Sequence, residues 1–157
     1  MKSLVIYDSV FGNTEKIACA IGEALESQVL SVNKVAPRDI QGLDLLIVGS
    51  PTRGFRPTKE IKEFIRHLPA TEMHKVQVAA FDTRIRITDV NSAFLTFMVN
   101  IFGYAAQPIA NGLKGKGGKL VSNPEGFFVE DREGPLFIGE LDRAQDWARS
   151  LISIHKL

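Results

Sequence analysis

Short apolar runs alternate along the chain with segments whose apolar residues recur at helical spacing. The runs at 4–7 and 45–48 are almost continuously apolar, which is typical of strands covered on both faces. Predicted strands occupy 4–7, 29–32, 45–48, 76–81 and 119–121, and the last of them resumes at 127–129.

The segments between these runs have the apolar periodicity of helices. Ile61, Phe64, Ile65 and Leu68 stand at i, i+3, i+4 and i+7, which predicts an amphipathic helix entered through residues 57–58. The same spacing recurs in 17–25 and 141–152. Strands that alternate with helices indicate a doubly wound α/β fold, with five parallel strands covered on both faces.

Length and composition are those of an ordinary globular chain. The 157 residues, 45% of them hydrophobic, predict one domain spanning 1–157. The net charge of +1 lacks the basic footprint of a nucleic-acid-binding protein. We find no signal-peptide pattern and no apolar stretch long enough to span a bilayer. With Cys19 as the single cysteine, these features predict a cytoplasmic protein.

Catalytic and metal-ligating patterns are absent from the sequence. The three histidines and the cysteine share no metal-ligand spacing, so we predict no metal site. Ser9 lacks the G-x-S-x-G surroundings of a hydrolase nucleophile, so we predict no catalytic residue of that kind.

Three loops should meet at one edge of the sheet. In doubly wound folds, ligands bind outside the carboxyl ends of the strands, where strand order reverses. The loops that leave those ends are 8–14, 50–56 and 82–86. These loops are therefore the predicted ligand site.

The first loop has the composition of a phosphate site. A helix that begins near Asn13 or Thr14 presents unpaired backbone N–H groups and the positive end of its dipole. Ser9 adds a hydroxyl, and Gly12 allows a close approach of the backbone. No lysine follows the glycine and no G-x-G-x-x-G occurs, which argues against Walker A and dinucleotide loops. Helix capping alone is the alternative interpretation.

The residues around this loop resemble the phosphate-loop signature of flavodoxins. The match consists of a hydrophobic pair, an aromatic residue, Ser/Thr, a small residue, Thr, Ala and an aliphatic residue, found here in 5–7, Ser9, Gly12, Thr14, Ala18 and Ile21. The stretch LDLLIVGSPTRG is similar to the strand and second flavin loop of flavodoxin-like proteins. The resemblance implies a sheet of order 2-1-3-4-5 and FMN as the ligand.

The same resemblance assigns residues to the two ends of FMN. The phosphate would lie in the loop Ser9, Val10, Phe11, Gly12, Asn13 and Thr14, held by side chains of Ser9, Asn13 and Thr14 and by amides of Phe11 and Gly12. The isoalloxazine would be flanked by Pro51, Thr52, Arg53, Gly54 and Phe55, and by Phe81, Asp82, Thr83 and Arg84.

The chain departs from this family pattern in its aromatic residues and in its charges. Phe11 stands where many flavodoxins have threonine, which is more like flavodoxin-type quinone reductases and flavodiiron proteins. Phe55 is the one aromatic residue of the second loop, so ring stacking should be weak. The two ring loops carry Arg53, Arg56, Arg84 and Arg86. Cations beside the ring should raise its reduction potential; the alternative is that they are solvated.

The segment 90–106 is unusually apolar. It reads VNSAFLTFMVNIFGYAA, with Val90, Phe94, Phe97, Ile101 and Ala105 on one helical face. A helix that is hydrophobic nearly all round is buried in a core or forms an interface. We keep three interpretations: burial in the core, a homodimer contact, and a cover over the flavin.

These features lead to three functional hypotheses. The first is an FMN-binding electron-transfer protein that serves a redox partner protein or a small-molecule acceptor, without a nucleic-acid partner or a membrane span. The second is an FMN-dependent NAD(P)H:quinone-type reductase, favoured by Phe11 and the arginine-bearing loops. The third is a flavodoxin-like scaffold domain that has lost FMN.

Overall fold

The strands form one parallel sheet. The computed structural model describes residues 1–86 and 92–153. Its strands are β1 (Ser3–Tyr7), β2 (Gln28–Ser31), β3 (Leu45–Pro51), β4 (Gln77–Ile85), β5 (Lys119–Leu120) and β6 (Glu125–Val129). They pair in parallel in the order β2-β1-β3-β4-β5, and β6 also pairs with β4. The fold class and strand order predicted above are confirmed.

The fifth position of the sheet is shared by two short strands. β5 pairs with the start of β4, at Gln77 and Val78, and β6 pairs with its end, from Phe81 to Ile85. The predicted resumption of the fifth strand is confirmed. β4 is longer than the predicted 76–81 because its last residues pair with β6 as well as with β3.

Helices cover both faces of the sheet. They are α1 (Asn13–Leu25), α2 (Pro37–Ile40), α3 (Lys59–His67), α4 (Ala70–Met73), α5 (Ala93–Phe102), α6 (Ala106–Gly115) and α7 (Glu140–Ser153), with a 3-10 turn at Val32–Lys34. α1 and α7 pack on one face, and α3 and α6 pack on the other. Successive side chains of β1 point to opposite faces of the sheet: Leu4 packs against the α3–α6 side and Val5 against the α1–α7 side.

An aromatic cluster fills the α1–α7 face at the middle of β4. The rings of Phe81, Phe127 and Trp147 meet edge to face, with centroids 6.0–6.3 Å apart, a favourable geometry for aromatic pairs. The Phe81 ring lies against Gly49 of β3, where an added Cβ would stand 2.0 Å from Phe81 Cζ. Position 49 therefore requires glycine because the neighbouring strand places a ring directly on its backbone.

The apolar segment 90–106 contains α5 and the start of α6. Val90 lies outside the described residues. Phe94 and Phe97 of α5 are 67% and 59% exposed, which excludes burial of this whole helix in the core. Ala105 and Ala106, at the start of α6, are buried. No helix within the described ranges is long and apolar enough to cross a membrane.

Candidate functional site

The three loops at the carboxyl ends of β1, β3 and β4 surround one cavity. Its volume is about 360 Å³, within the range of small-molecule sites. The predicted residues that line it are Ser9, Val10, Phe11, Asn13, Thr14, Pro51, Thr52, Arg53, Gly54, Thr83 and Arg84. The fold therefore brings residues from all three predicted loops to one place.

The start of α1 leaves backbone donors available at this cavity. Gly12 caps the helix with φ 91°, a left-handed conformation that favours glycine. Ser9 Oγ accepts the N–H groups of Gly12 and Glu15 at 3.1 and 3.4 Å. The amides of Asn13 and Thr14 have no acceptor among the described residues, as expected for a first helical turn. These amides and the helix dipole suit an anion.

Thr83, at the end of β4, connects the other two loops. Its Oγ1 lies 2.8 Å from Thr14 Oγ1 of α1, and its carbonyl accepts the Thr52 N–H at 3.0 Å. Thr52 Oγ1 in turn accepts the Ala105 N–H at 3.2 Å. The cavity wall is thus held by hydrogen bonds that cross from loop to loop.

A buried ion pair lies behind the cavity. Asp82 is fully buried and accepts Arg84 Nε and Nη2 at 2.6 and 2.7 Å. It also accepts the Ala106 N–H at 2.8 Å. Burial raises the pKa of the Asp82 carboxyl, and the hydrogen bonds from Arg84 and Ala106 oppose that rise. The Arg84 guanidinium lies 3.7 Å from the Tyr104 ring centroid, so its charge is already matched within the protein.

Four of the residues predicted to bind the cofactor do not line the cavity: Gly12, Phe55, Phe81 and Asp82. Gly12 contributes through its left-handed backbone conformation at the start of α1. Phe81 and Asp82 alternate along β4, so one side chain enters the aromatic cluster and the other enters the ion pair. Both side chains therefore have partners in the protein interior. That residues 81–84 flank a ligand ring stays a prediction.

The four loop arginines occupy different surroundings. Arg53 and Arg84 line the cavity, whereas Arg56 and Arg86 do not. Arg86 lies 4.2 Å from the Phe137 ring centroid and 5.2 Å from that of Phe128. Arg53 is exposed and begins a tight turn in which Arg53 and Arg56 exchange backbone hydrogen bonds of 2.8 and 3.0 Å. Of the two arginines that these loops place at the cavity, Arg53 is the one without a carboxylate partner among the described residues.

Three lining residues were not individually assigned to the ligand: Ile85, which lies in the predicted loop 82–86, Val129 and Arg132. Ile85 extends β4 beyond its predicted end. Val129 ends β6 and Arg132 follows it, and they reach the cavity because β6 pairs with the carboxyl end of β4. The predicted resumption of the fifth strand at 127–129 was the one signal that pointed to this position.

A larger cavity lies elsewhere on the molecule. It measures about 750 Å³ and is lined by residues of the 3-10 turn, α2, α3 and α4, none of which lines the first cavity. Its volume is greater, but it is away from the first turn of α1. We therefore take the smaller cavity as the candidate site, on the chemistry of its walls.

Comparisons with known proteins agree with this architecture. A family model described as a flavodoxin domain matches residues 4–98. An uncharacterized protein of Methanocaldococcus jannaschii is 35% identical over 72 residues, 45% of this chain, and the match spans 48% of that relative's length.

Solved flavodoxins share the whole fold. A flavodoxin from the domain Archaea superposes with a TM-score of 0.76 at 21% identity, covering 100% of both chains. Oxidised flavodoxin 1 of Bacillus cereus gives 0.74 at 14% identity, covering 98% of each chain. At these identities the superpositions establish the fold, while the match of the family model covers more than half of the sequence. The chain therefore belongs to the flavodoxin-domain family.

Proposed function

We propose that the chain binds FMN in the cavity at the carboxyl ends of β1, β3 and β4, and that it acts as an electron-transfer protein. The observation that carries this proposal is the pair of free first-turn amides, Asn13 and Thr14, at a cavity built from all three loops. An anionic group at such a helix start is stabilised by hydrogen bonds and by the dipole.

The two kinds of wall in the cavity match the two ends of FMN. Hydroxyl and amide donors at Ser9, Asn13 and Thr14 suit the phosphate, and apolar residues such as Pro51 and Ile85 suit the ring. Bound FMN would supply the electron exchange, while the protein supplies binding, orientation and electrostatics. The electrons would pass to a redox partner protein or to a small-molecule acceptor.

Reconstitution with FMN tests the proposal. We expect the purified protein to quench the fluorescence of an equimolar amount of added FMN and to shift its visible absorbance. With EDTA as the electron donor, light should reduce the bound flavin without NAD(P)H. FMN whose fluorescence and absorbance are unchanged by the protein would contradict the proposal and favour the scaffold hypothesis.

The quinone-reductase hypothesis is tested in the same preparation. Phe11 and Arg53 on the cavity wall are the features that favour it. Sustained NAD(P)H consumption with added quinone would identify the protein as an enzyme of that class. Photoreduction without NAD(P)H turnover would instead identify an electron carrier.

Arg53 is expected to tune the potential of the bound flavin. An uncompensated cation favours the more negative, reduced state, so Arg53→Gln should lower the reduction potential. The effect should be at most about 1 kcal/mol, and it should shrink as salt is raised, because the side chain is exposed and screened. Titration against reference dyes at low and high salt measures both effects.

Arg38 on α2 provides the matched control. It is an exposed arginine away from the cavity, so Arg38→Gln should leave the potential unchanged at either salt concentration. Equal reduction potentials for Arg53→Gln and the unmodified protein would show that the Arg53 side chain faces solvent or a partner and does not influence the flavin.

A further inference from the structure

The cavity of the candidate site has a cationic wall that comes from the far end of the chain. Arg132, in the connection between β6 and α7, lines it together with Ser9, Asn13 and Thr14. Three arginines and no aspartate or glutamate are among its lining residues, and of these arginines Arg84 is paired with the buried Asp82. The cavity therefore favours an anion through side-chain charge as well as through backbone amides.

The loop that carries Arg132 is fixed by its own hydrogen bonds. Glu130 N–H donates to the Pro135 carbonyl at 2.8 Å, and Gly134 N–H donates to the Asp131 carbonyl at 2.9 Å. The Arg132 N–H donates to Asp131 Oδ1 at 2.7 Å. A turn closed in this way fixes the position from which the Arg132 side chain extends.

This turn is also attached to the first turn of α1. Asn13 Nδ2 donates to the Glu133 carbonyl at 3.0 Å. Gly134 has φ +104°, and a Cβ there would stand 2.7 Å from Asn13 Oδ1. Glycine thus permits the close approach that brings the residue after Arg132 onto the helix start with the free amides.

No ion pair among the described residues takes up the charge of Arg132. Arg66, Arg84, Arg143 and Arg149 each have a carboxylate within 3.1 Å, whereas Arg132 has none among the described residues. Its neighbour Asp131 directs one carboxylate oxygen to the Arg132 backbone. The guanidinium is therefore available to a ligand.

We propose that Arg132 is the counter-ion of the ligand phosphate. A phosphate monoester is close to dianionic at neutral pH, and a guanidinium donates to phosphate oxygens in a planar fork. This inference rests on the proposed function and adds a side-chain cation to the hydrogen-bond donors of the first loop. It makes Arg132 a residue that selects FMN over riboflavin.

Binding constants for FMN and riboflavin test the proposal directly. Arg132→Gln should weaken FMN binding about tenfold at low salt, and the difference should narrow as salt is raised. Riboflavin binding should not change, because it lacks the phosphate. Arg132→Lys should bind FMN with intermediate affinity, since lysine keeps the charge but lacks the planar pair of guanidinium donors. Fluorescence quenching of each flavin gives the constants, with Arg38→Gln as the control.

Failure of this inference is distinguishable from failure of the proposed function. An unmodified protein that binds FMN, with an Arg132→Gln variant within about twofold of it at low salt, would overturn the role of Arg132 alone. Equal losses for FMN and riboflavin would overturn it as well, because the side chain would then act on the shared part of the ligands. An unmodified protein that binds neither flavin would overturn the proposed function, and this inference with it.

Discussion

Replacing Arg84 by glutamine should lower the free energy of unfolding by about 3–5 kcal/mol, the cost of leaving a buried charge without its partner. Asp82 is fully buried, and the Arg84 side chain is 18% exposed. Without the guanidinium, the carboxylate would keep the Ala106 N–H as its remaining hydrogen-bond donor. Urea unfolding of the parent and the variant measures the difference.

The dependence on pH gives this prediction a second readout. Burial raises the pKa of Asp82, and loss of Arg84 removes the main influence that opposes the rise. The penalty falls on the charged carboxylate. The stability lost in the variant should therefore shrink as pH falls through the raised pKa, where the folded protein takes up the proton.

Two further variants separate the buried charge from general disruption. Asp82→Asn combined with Arg84→Gln removes both charges and should recover much of the loss. Arg149→Gln breaks an exposed pair with Asp146 on α7 and should cost no more than about 1 kcal/mol. An Arg84→Gln variant as stable as Arg149→Gln would contradict the assignment of Arg84 as the partner of a buried carboxylate.

Thr14→Val should weaken FMN binding about tenfold or more and leave riboflavin binding nearly unchanged. Thr14 is 1% exposed and lines the cavity. Its hydroxyl can accept the proton of Thr83 Oγ1 at 2.8 Å and still donate to a phosphate oxygen. Valine keeps the shape and removes both bonds. Isothermal titration with each flavin measures the two affinities.

Thr71 provides the control for this substitution. It lies on α4 and lines the larger, separate cavity, so Thr71→Val should leave both affinities unchanged. Equal losses of FMN and riboflavin affinity in Thr14→Val would show that the first loop is not the phosphate site. Asn13→Leu is a less specific test, because Asn13 also holds the loop that carries Arg132.

The sheet and the three loops could be predicted because their signals are local. Each buried strand is a short apolar run, and a turn rich in small and hydroxyl residues follows β1. α6 was missed although Ala106, Ile109, Ala110 and Leu113 have helical spacing. The apolar residues before α6 have the same helical spacing, so the sequence does not show that α5 ends before Gly103 and that a second helix follows.

The surroundings of the site side chains could not be predicted, because they depend on contacts between distant parts of the chain. Asp82 is only two residues from Arg84 on the same strand, and what the sequence does not show is that the fold buries this carboxylate. Arg132 is far from Ser9 in sequence, and the pairing of β6 with β4 brings it to the same cavity. The alternation of side chains along β4 likewise directs Phe81 into the core, and this direction could not be read from the composition of the loop.

The way β6 is covered limits how copies of this protein can associate. Phe128 N–H donates to Glu140 Oε2 at 2.7 Å, and the Phe128 carbonyl accepts the Phe137 N–H at 3.0 Å. The chain thus folds back over its own edge strand and occupies the backbone groups that a foreign strand would need. Sheet extension and edge-to-edge aggregation are blocked at this border. Copies that meet at this border must therefore use side-chain surfaces, and Phe94 and Phe97 of α5 are exposed apolar side chains of that kind.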